Sequence, residues 1–204
     1  MKITKYLFIA LFFLNLTTLV AQNEGAAKLN KDYPVQRLII APAIGLNPWP
    51  MSDLVISNLV QWDIKKRLSL VSYTAYTYNN VFLRNFNYIK TNYNYSLSQK
   101  MGVGTALYSK RASHSFSLLG GIKYNSLKET LEHPEFEKVS ASVSSVSPDF
   151  GCMYHLQVGK KKYFFSYRMY IPLYPYPVQR LDITAIDGNI ANVSMEFGLG
   201  VRLK

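Results

Sequence analysis

Apolar and polar positions alternate along most of this chain. From Val193 to Lys204 the odd positions are Val193, Met195, Phe197, Leu199, Val201 and Leu203, and the even ones are Ser194, Glu196, Gly198, Gly200, Arg202 and Lys204. Successive side chains of a strand point to opposite faces, so a period of two predicts a strand with one apolar and one polar face. The pattern predicts further strands at 37–46, with Leu38, Ile40, Ile44 and Leu46 on one face, and at 54–64, with Trp62 and Ile64 on one face and Gln61 and Asp63 on the other. Pro42 inside the first of these marks a bulge or a locally unpaired position. A less regular strand is predicted at 68–78. Others follow at 88–97 (Tyr93, Tyr95 and Leu97 against Lys90, Asn92 and Asn94), 101–109, 114–125, 149–158 and 163–172.

Polar stretches at 65–67, 98–100 and 159–162 read as tight turns. If all three lie at one end of a sheet, parity demands a further strand between 126 and 148; residues 139–147, with Val139, Ala141 and Val143 on one face, supply it. The expectation is therefore an all-β, antiparallel up-and-down transmembrane barrel, ten strands favoured and eight the alternative, because 139–147 is serine-rich and 68–78 is irregular. The strands have the length of a tilted membrane crossing. The hexamer Tyr33–Leu38 recurs unchanged as Tyr176–Leu181, which reads as a Pro-led strand entry used twice; the second copy leads to Asp187-Gly188, a hairpin turn signal.

Alternation alone leaves the inward face open. A soluble lipocalin-like barrel, binding an apolar ligand, puts its apolar face inside; a membrane barrel puts it outside. The polar face here is rich in Gly102, Gly104, Ala106, Ser115, Ser117, Gly121, Gly151, Ser166, Gly198 and Gly200. Small residues suit a narrow lumen, whereas a solvated surface favours Lys and Glu. The apolar face carries Trp62, Tyr93, Tyr95, Tyr124, Tyr154 and Tyr163, which suit interfacial aromatic girdles.

Composition narrows the class. Residues 1–21 combine Lys2 and Lys5 with an apolar run from Tyr6 to Leu14 and a small Ala21, the pattern of a cleaved secretory signal peptide. Residues 22–36 read as a short tail and 37–204 as a single barrel domain. Later apolar stretches are too short for a membrane helix, so a spanning role requires a closed barrel. Charged residues make up 17% of the chain and the formal net charge is +11, with Cys152 the sole cysteine. No internal disulfide is possible. The basic turns lack interleaved stacking aromatics, so nucleic acid is not an expected partner. The expected partners are membrane lipid, lipopolysaccharide (phosphates near Lys110 and Arg111) and the barrel-insertion machinery; the sequence is silent on oligomeric state.

The inward face then carries one set of charges: Arg37, Asp63, Lys90, Lys123, His155, Arg168, Glu196 and Arg202. These form either a charged constriction that selects solutes or an ion-pair network filling a plugged lumen; a small barrel, mostly filled by side chains, favours the second. Arg168 and Lys123 are the natural partners of the scarce acids Asp63 and Glu196. Catalytic chemistry has one candidate, His114 beside Ser115, which would suit a lipid-modifying barrel enzyme but has no acid nearby in sequence to orient the histidine. The three histidines lie far apart, so no metal or cofactor site is expected, although His133 sits in an acidic stretch.

The Leu-Val-Ala-Gln at 19–22, the Tyr/Asn-rich strands with Lys-rich turns and the closing Glu196–Lys204 strand resemble small outer-membrane β-barrel proteins of Bacteroidota type. That resemblance implies export to the outer membrane as a non-enzymatic structural barrel or narrow pore, with no catalytic residues.

Overall fold

The computed structural model describes residues 37–46, 53–65, 68–78, 85–86, 88–108, 112–135, 137–159, 162–173 and 193–203. These form nine strands: β1 (Arg37–Leu46), β2 (Leu54–Lys65), β3 (Leu68–Tyr78), β4 (Asn85–Phe86), β5 (Ile89–Tyr108), β6 (Ala112–Leu131), β7 (Val139–Val158), β8 (Tyr163–Pro172) and β9 (Ser194–Leu203). Every pairing is antiparallel, in the order β3-β2-β1-β9-β8-β7-β6-β5, and β5 returns to β3 to close the ring. The two-residue β4 only pairs with the start of β5. The result is an eight-stranded up-and-down barrel with an added β4.

Eight strands replace the favoured ten for a specific reason. Residues 98–100 are not a turn: β5 runs through them, with Ser98 opposite Ala75 and Lys100 opposite Tyr73. Likewise 139–147 is no separate strand but the first half of β7. Polar composition suggested breaks where the alternation itself continues. Strand ends Tyr108 and Ala112 lie with Arg37, Val158 and Leu203 at one end of the barrel, here the turn end. Lys110 and Arg111, expected on the outer side, lie outside the described residues, and the strand ends flanking them are at this turn end. The signal segment, the tail at 22–36, both hexamer copies up to β1 and the turn at Asp187-Gly188 also lie outside the described residues.

The two faces differ sharply. Outward side chains of the barrel are mostly apolar and exposed, among them Ile44, Ile56, Trp62, Met101, Leu118, Ile122, Phe150, Tyr163 and Leu199, with one polar cluster of Asn58, Ser72, Thr74 and Gln99 on β2, β3 and β5. Inward positions include all ten of the small residues expected there. Gly151 and Gly200 show why: a Cβ on Gly151 would lie 2.4 Å from the Tyr170 ring, and one on Gly200 2.1 Å from the Phe164 ring. Large inward side chains are accommodated because the strand beside them has none.

Strands β5, β6 and β7 are 20 residues each, twice the length of β1, β8 and β9. At about 3.3 Å per residue and a tilt near 45°, such a strand climbs roughly 45 Å, against an apolar band of roughly 25 Å in a membrane barrel. The polarity of these strands reverses along their length. Below the cross-strand row Leu97–Tyr124–Val146 the outward face is mainly apolar. Above it the outward residues are Tyr95, Ser126 and Ser144, then Tyr93, Lys128 and Ser142, then Lys90, Thr130 and Ser140. The inward face of this upper part, here the extension, begins with the polar row Ser96, Asn125 and Ser145 and then becomes more apolar: Asn94 with Leu127 and Val143, then Thr91 and Glu129 with Ala141, then Ile89, Leu131 and Val139.

Candidate functional site

The barrel interior is a column of polar side chains supplied by every long strand. Alternation alone points them inward, and register sets their heights. At mid-height, Arg168 of β8 lies opposite Glu196 of β9. Both are 0% exposed, and Arg168 Nε lies 3.2 Å from Glu196 Oε2. That Nε makes an ionic contact without the direction of a hydrogen bond, while the other guanidinium nitrogens donate to Ala41 O at 2.7 Å and Ser57 Oγ at 2.8 Å. Glu196 also accepts from Ser57 Oγ at 2.5 Å, from Ser194 Oγ at 3.0 Å and from the Tyr73 hydroxyl. The carboxylate thus meets three hydroxyl donors and a guanidinium, all supplied by the protein.

A second ion pair stands on the side of the loops. Lys100 Nζ is 2.7 Å from Asp149 Oδ2, and Tyr170 donates to Oδ1 at 2.7 Å. Tyr170 stacks on Tyr73 with centroids 6.0 Å apart, and Lys100 lies 4.1 Å from the Tyr170 centroid. The tyrosines therefore join the two ion pairs into one network. Toward the turn end, His155 contacts Ser166 Oγ at 2.9 Å, and Arg202 donates to Gly159 O at 2.8 Å and lies over Phe164. Gln61 and Tyr108 donate to Asp63 at 2.7 Å and 3.2 Å, and Arg37 and Arg202 act on it electrostatically.

Seven of the eight charges expected on the inner face are there: Arg37, Asp63, Lys123, His155, Arg168, Glu196 and Arg202. Lys90 is not. A bulge between Thr91 and Tyr93 shifts the parity of β5, so Lys90 pairs with Thr130 on the outward face and is exposed. Of the expected partners, Arg168 meets Glu196, but Lys123 faces neither Asp63 nor Glu196; it lies on the Lys100 and Asp149 side. Lys100, Asp149, Tyr73 and Tyr170 escaped the sequence reading because 98–100 was read as a turn and Asp149 as a strand start. The unbroken inward series Ser96, Ser98, Lys100, Gly102, Gly104 was the signal that places Lys100 inside.

His114 and Ser115 sit on opposite faces of β6. Ser115 is buried and reaches His155 O at 3.4 Å, whereas His114 faces outward, its Nδ1 2.8 Å from the Tyr154 hydroxyl. Neighbours in a strand cannot act on one substrate from opposite faces, so this pair makes no nucleophile–base couple. His133 packs edge-on against Tyr88 and accepts from the Glu135 backbone N–H at 3.1 Å. No cluster of three metal-ligating side chains occurs among the described residues. Cys152 is outward and half-buried.

The interior at mid-height is closely packed. Arg168, Glu196, Tyr73, Leu59, Met153, His155, Gln61 and Gln157 are all below 2% exposed, so water reaches almost none of their surface. A wet channel through mid-barrel would leave them accessible.

No family model matches the chain, and a comparison with curated proteins finds no similar sequence. Among solved structures, the chain is similar to Ail, the attachment invasion locus protein of Yersinia pestis, with a TM-score of 0.50, 12% identity, and 84% of this chain and 100% of that one covered. It matches Neisserial surface protein A with a TM-score of 0.46 at 11% identity, over 83% of this chain and 95% of that one. The N-terminal β-barrel domain of Pseudomonas aeruginosa OprF gives 0.40 at 8%, over 82% and 97%. At such identities the likeness to Ail is one of fold, the small antiparallel up-and-down β-barrel.

Proposed function

We propose that this chain is an integral outer-membrane barrel with a closed interior, a non-enzymatic structural protein of the cell envelope that carries its extension into the water outside. The observation that supports this reading is the change of the outward face from apolar to polar above the Leu97–Tyr124–Val146 row, with apolar side chains entering the inner face from Leu127 and Val143 upward. A sheet in one solvent keeps one apolar face throughout. A sheet that leaves lipid for water must exchange its faces at the boundary. Trp62 and Tyr163 toward the turn end, and Tyr76, Tyr95 and Tyr124 toward the row, are outward aromatics suited to the two interfaces. The buried ion pairs at mid-height support a plug rather than a pore. Export by a signal peptide cleaved near Ala21, membership of a Bacteroidota-type group, and contact with lipopolysaccharide and the insertion machinery complete the proposal.

Two measurements test it. The protein should remain with outer membranes after urea and alkaline washing; recovery in the soluble periplasm would sink the membrane reading. Reconstituted, correctly folded protein should pass no current across a planar bilayer, and stable conductance steps would replace the plug with a pore.

A further inference from the structure

Above the Leu97–Tyr124–Val146 row, the inner face of the extension holds a group that the plug does not use. Glu129 is 0% exposed. Its Oε1 lies 3.4 Å from Thr91 Oγ1, a long contact, and its Oε2 has no hydrogen-bond partner. Its cross-strand neighbours on that face are Thr91 and Ala141, and the rows on either side bring Asn94, Leu127 and Val143, and Ile89, Leu131 and Val139. No basic side chain of the described residues answers it. Lys90 and Lys128 belong to the outward rows, Lys138 is held by Glu132 at 2.5 Å, and Lys123 is three rows nearer the plug, beside the Lys100–Asp149 pair. Buried polar atoms in folded proteins have partners, and an orphaned carboxylate oxygen marks a place where one is missing.

The missing partner has a definable chemistry. It carries positive charge, because the group is a carboxylate. It also carries apolar surface, because most of the wall around the carboxylate is aliphatic: Ala141, Leu127, Val143, Leu131, Val139 and Ile89, against the polar Thr91 and Asn94. An inorganic divalent cation fits poorly: it needs six or more oxygen ligands, and Glu129 with Thr91 supplies too few. We infer that the inner face of the extension binds a small organic cation, an ammonium or guanidinium on an apolar stem, with Glu129 as its counter-charge and Leu127 and Val143 against the stem. The site lies above that row, so it does not depend on whether the barrel interior is closed.

The test uses the full chain folded in lipid nanodiscs, with n-hexylguanidinium as probe and isothermal calorimetry as readout. Saturable binding is expected, roughly thirtyfold weaker or more for Glu129→Gln, the loss that follows removal of one partner of a buried charge pair. Ala141→Phe, which fills the wall beside Glu129 and leaves the charge, should abolish binding independently. Lys90→Ala, on the outward face, should change nothing. Equal binding of uncharged n-hexylurea would reduce the effect to apolar partition and overturn the inference. Equal affinity for the Gln variant, no binding by the wild-type chain, or tighter binding of calcium than of the guanidinium would overturn it as well.

Discussion

Replacing Arg168 by Met tests the plug at its centre. Both members of the Arg168–Glu196 pair are 0% exposed and lie 3.2 Å apart. At an effective dielectric of about 20, that separation corresponds to an attraction of about 5 kcal/mol, offset by the cost of removing both ions from water. Arg168→Met leaves Glu196 buried and charged, still with the Ser57, Ser194 and Tyr73 hydroxyls. It also strips Ala41 O of its donor. The expected cost is about 3–5 kcal/mol, the range for breaking one side of a buried pair. Glu196→Gln should cost a similar amount, because it strands the guanidinium. The double variant should lose clearly less than the sum, since neither ion is then left alone. The assay is urea unfolding from lipid vesicles followed by tryptophan emission. Single variants that each cost less than about 1 kcal/mol, the range of exposed pairs, would refute the reasoning, because the interior would then have to be wet. Lys138→Ala is the matched control: its pair with Glu132 is solvent-exposed, and stability should not change.

Gly151→Val should destabilise the barrel by about 1–3 kcal/mol through overpacking against the Tyr170 ring, and Tyr170→Ser in the same chain should recover part of that loss in the urea assay. In vesicles, Cys152 should react with a lipid-soluble maleimide and resist a charged one, while Ser144→Cys in a Cys152→Ser background should react with the charged reagent; equal labelling would displace the boundary row. Burial raises the pKa of the Glu129 carboxyl above its ordinary value. Its contribution to stability is present below the unfolded pKa, about 4.3, and is lost as pH rises through the folded value. Glu129→Gln should therefore be more stable than wild type at neutral pH, with the gap closing in acid; a pH-independent gap would contradict this.

The sequence carried the faces better than the boundaries. Alternation placed His155, Arg168 and Glu196 inward because a period of two needs no knowledge of neighbours. It could not reveal that Lys100 meets Asp149, which depends on the shear between β5 and β7 across β6. The break at 98–100 was inferred from side-chain polarity, but inward positions in a membrane barrel are polar, so polarity there signals the lumen and not a turn. Lys90 failed for a different reason. The bulge between Thr91 and Tyr93 inserts one residue and inverts parity beyond it, and nothing in the local Lys-Thr-Asn-Tyr sequence distinguishes a bulge from a regular strand.

On the proposed reading, one hydrogen-bonded ladder serves two solvents. In lipid the outward apolar face gains little by being buried, so the barrel depends on its closed ladder and on a satisfied interior. In water the extension cannot use that arrangement; it must turn Leu127, Val143 and Leu131 inward and Ser142, Ser144 and Lys128 outward. The alternation of β6 and β7 runs through the boundary without slipping, so the exchange is made by residue identity alone: odd positions carry Gly121, Lys123, Ser147 and Asp149 below the row, Asn125 and Ser145 just above it, and Leu127, Val143, Leu131 and Val139 farther up. Glu129 breaks that upper rule. A carboxylate at an inward odd position above the row is out of place for a structural sheet, and it is the one residue of the extension whose position asks for something that the described chain does not provide.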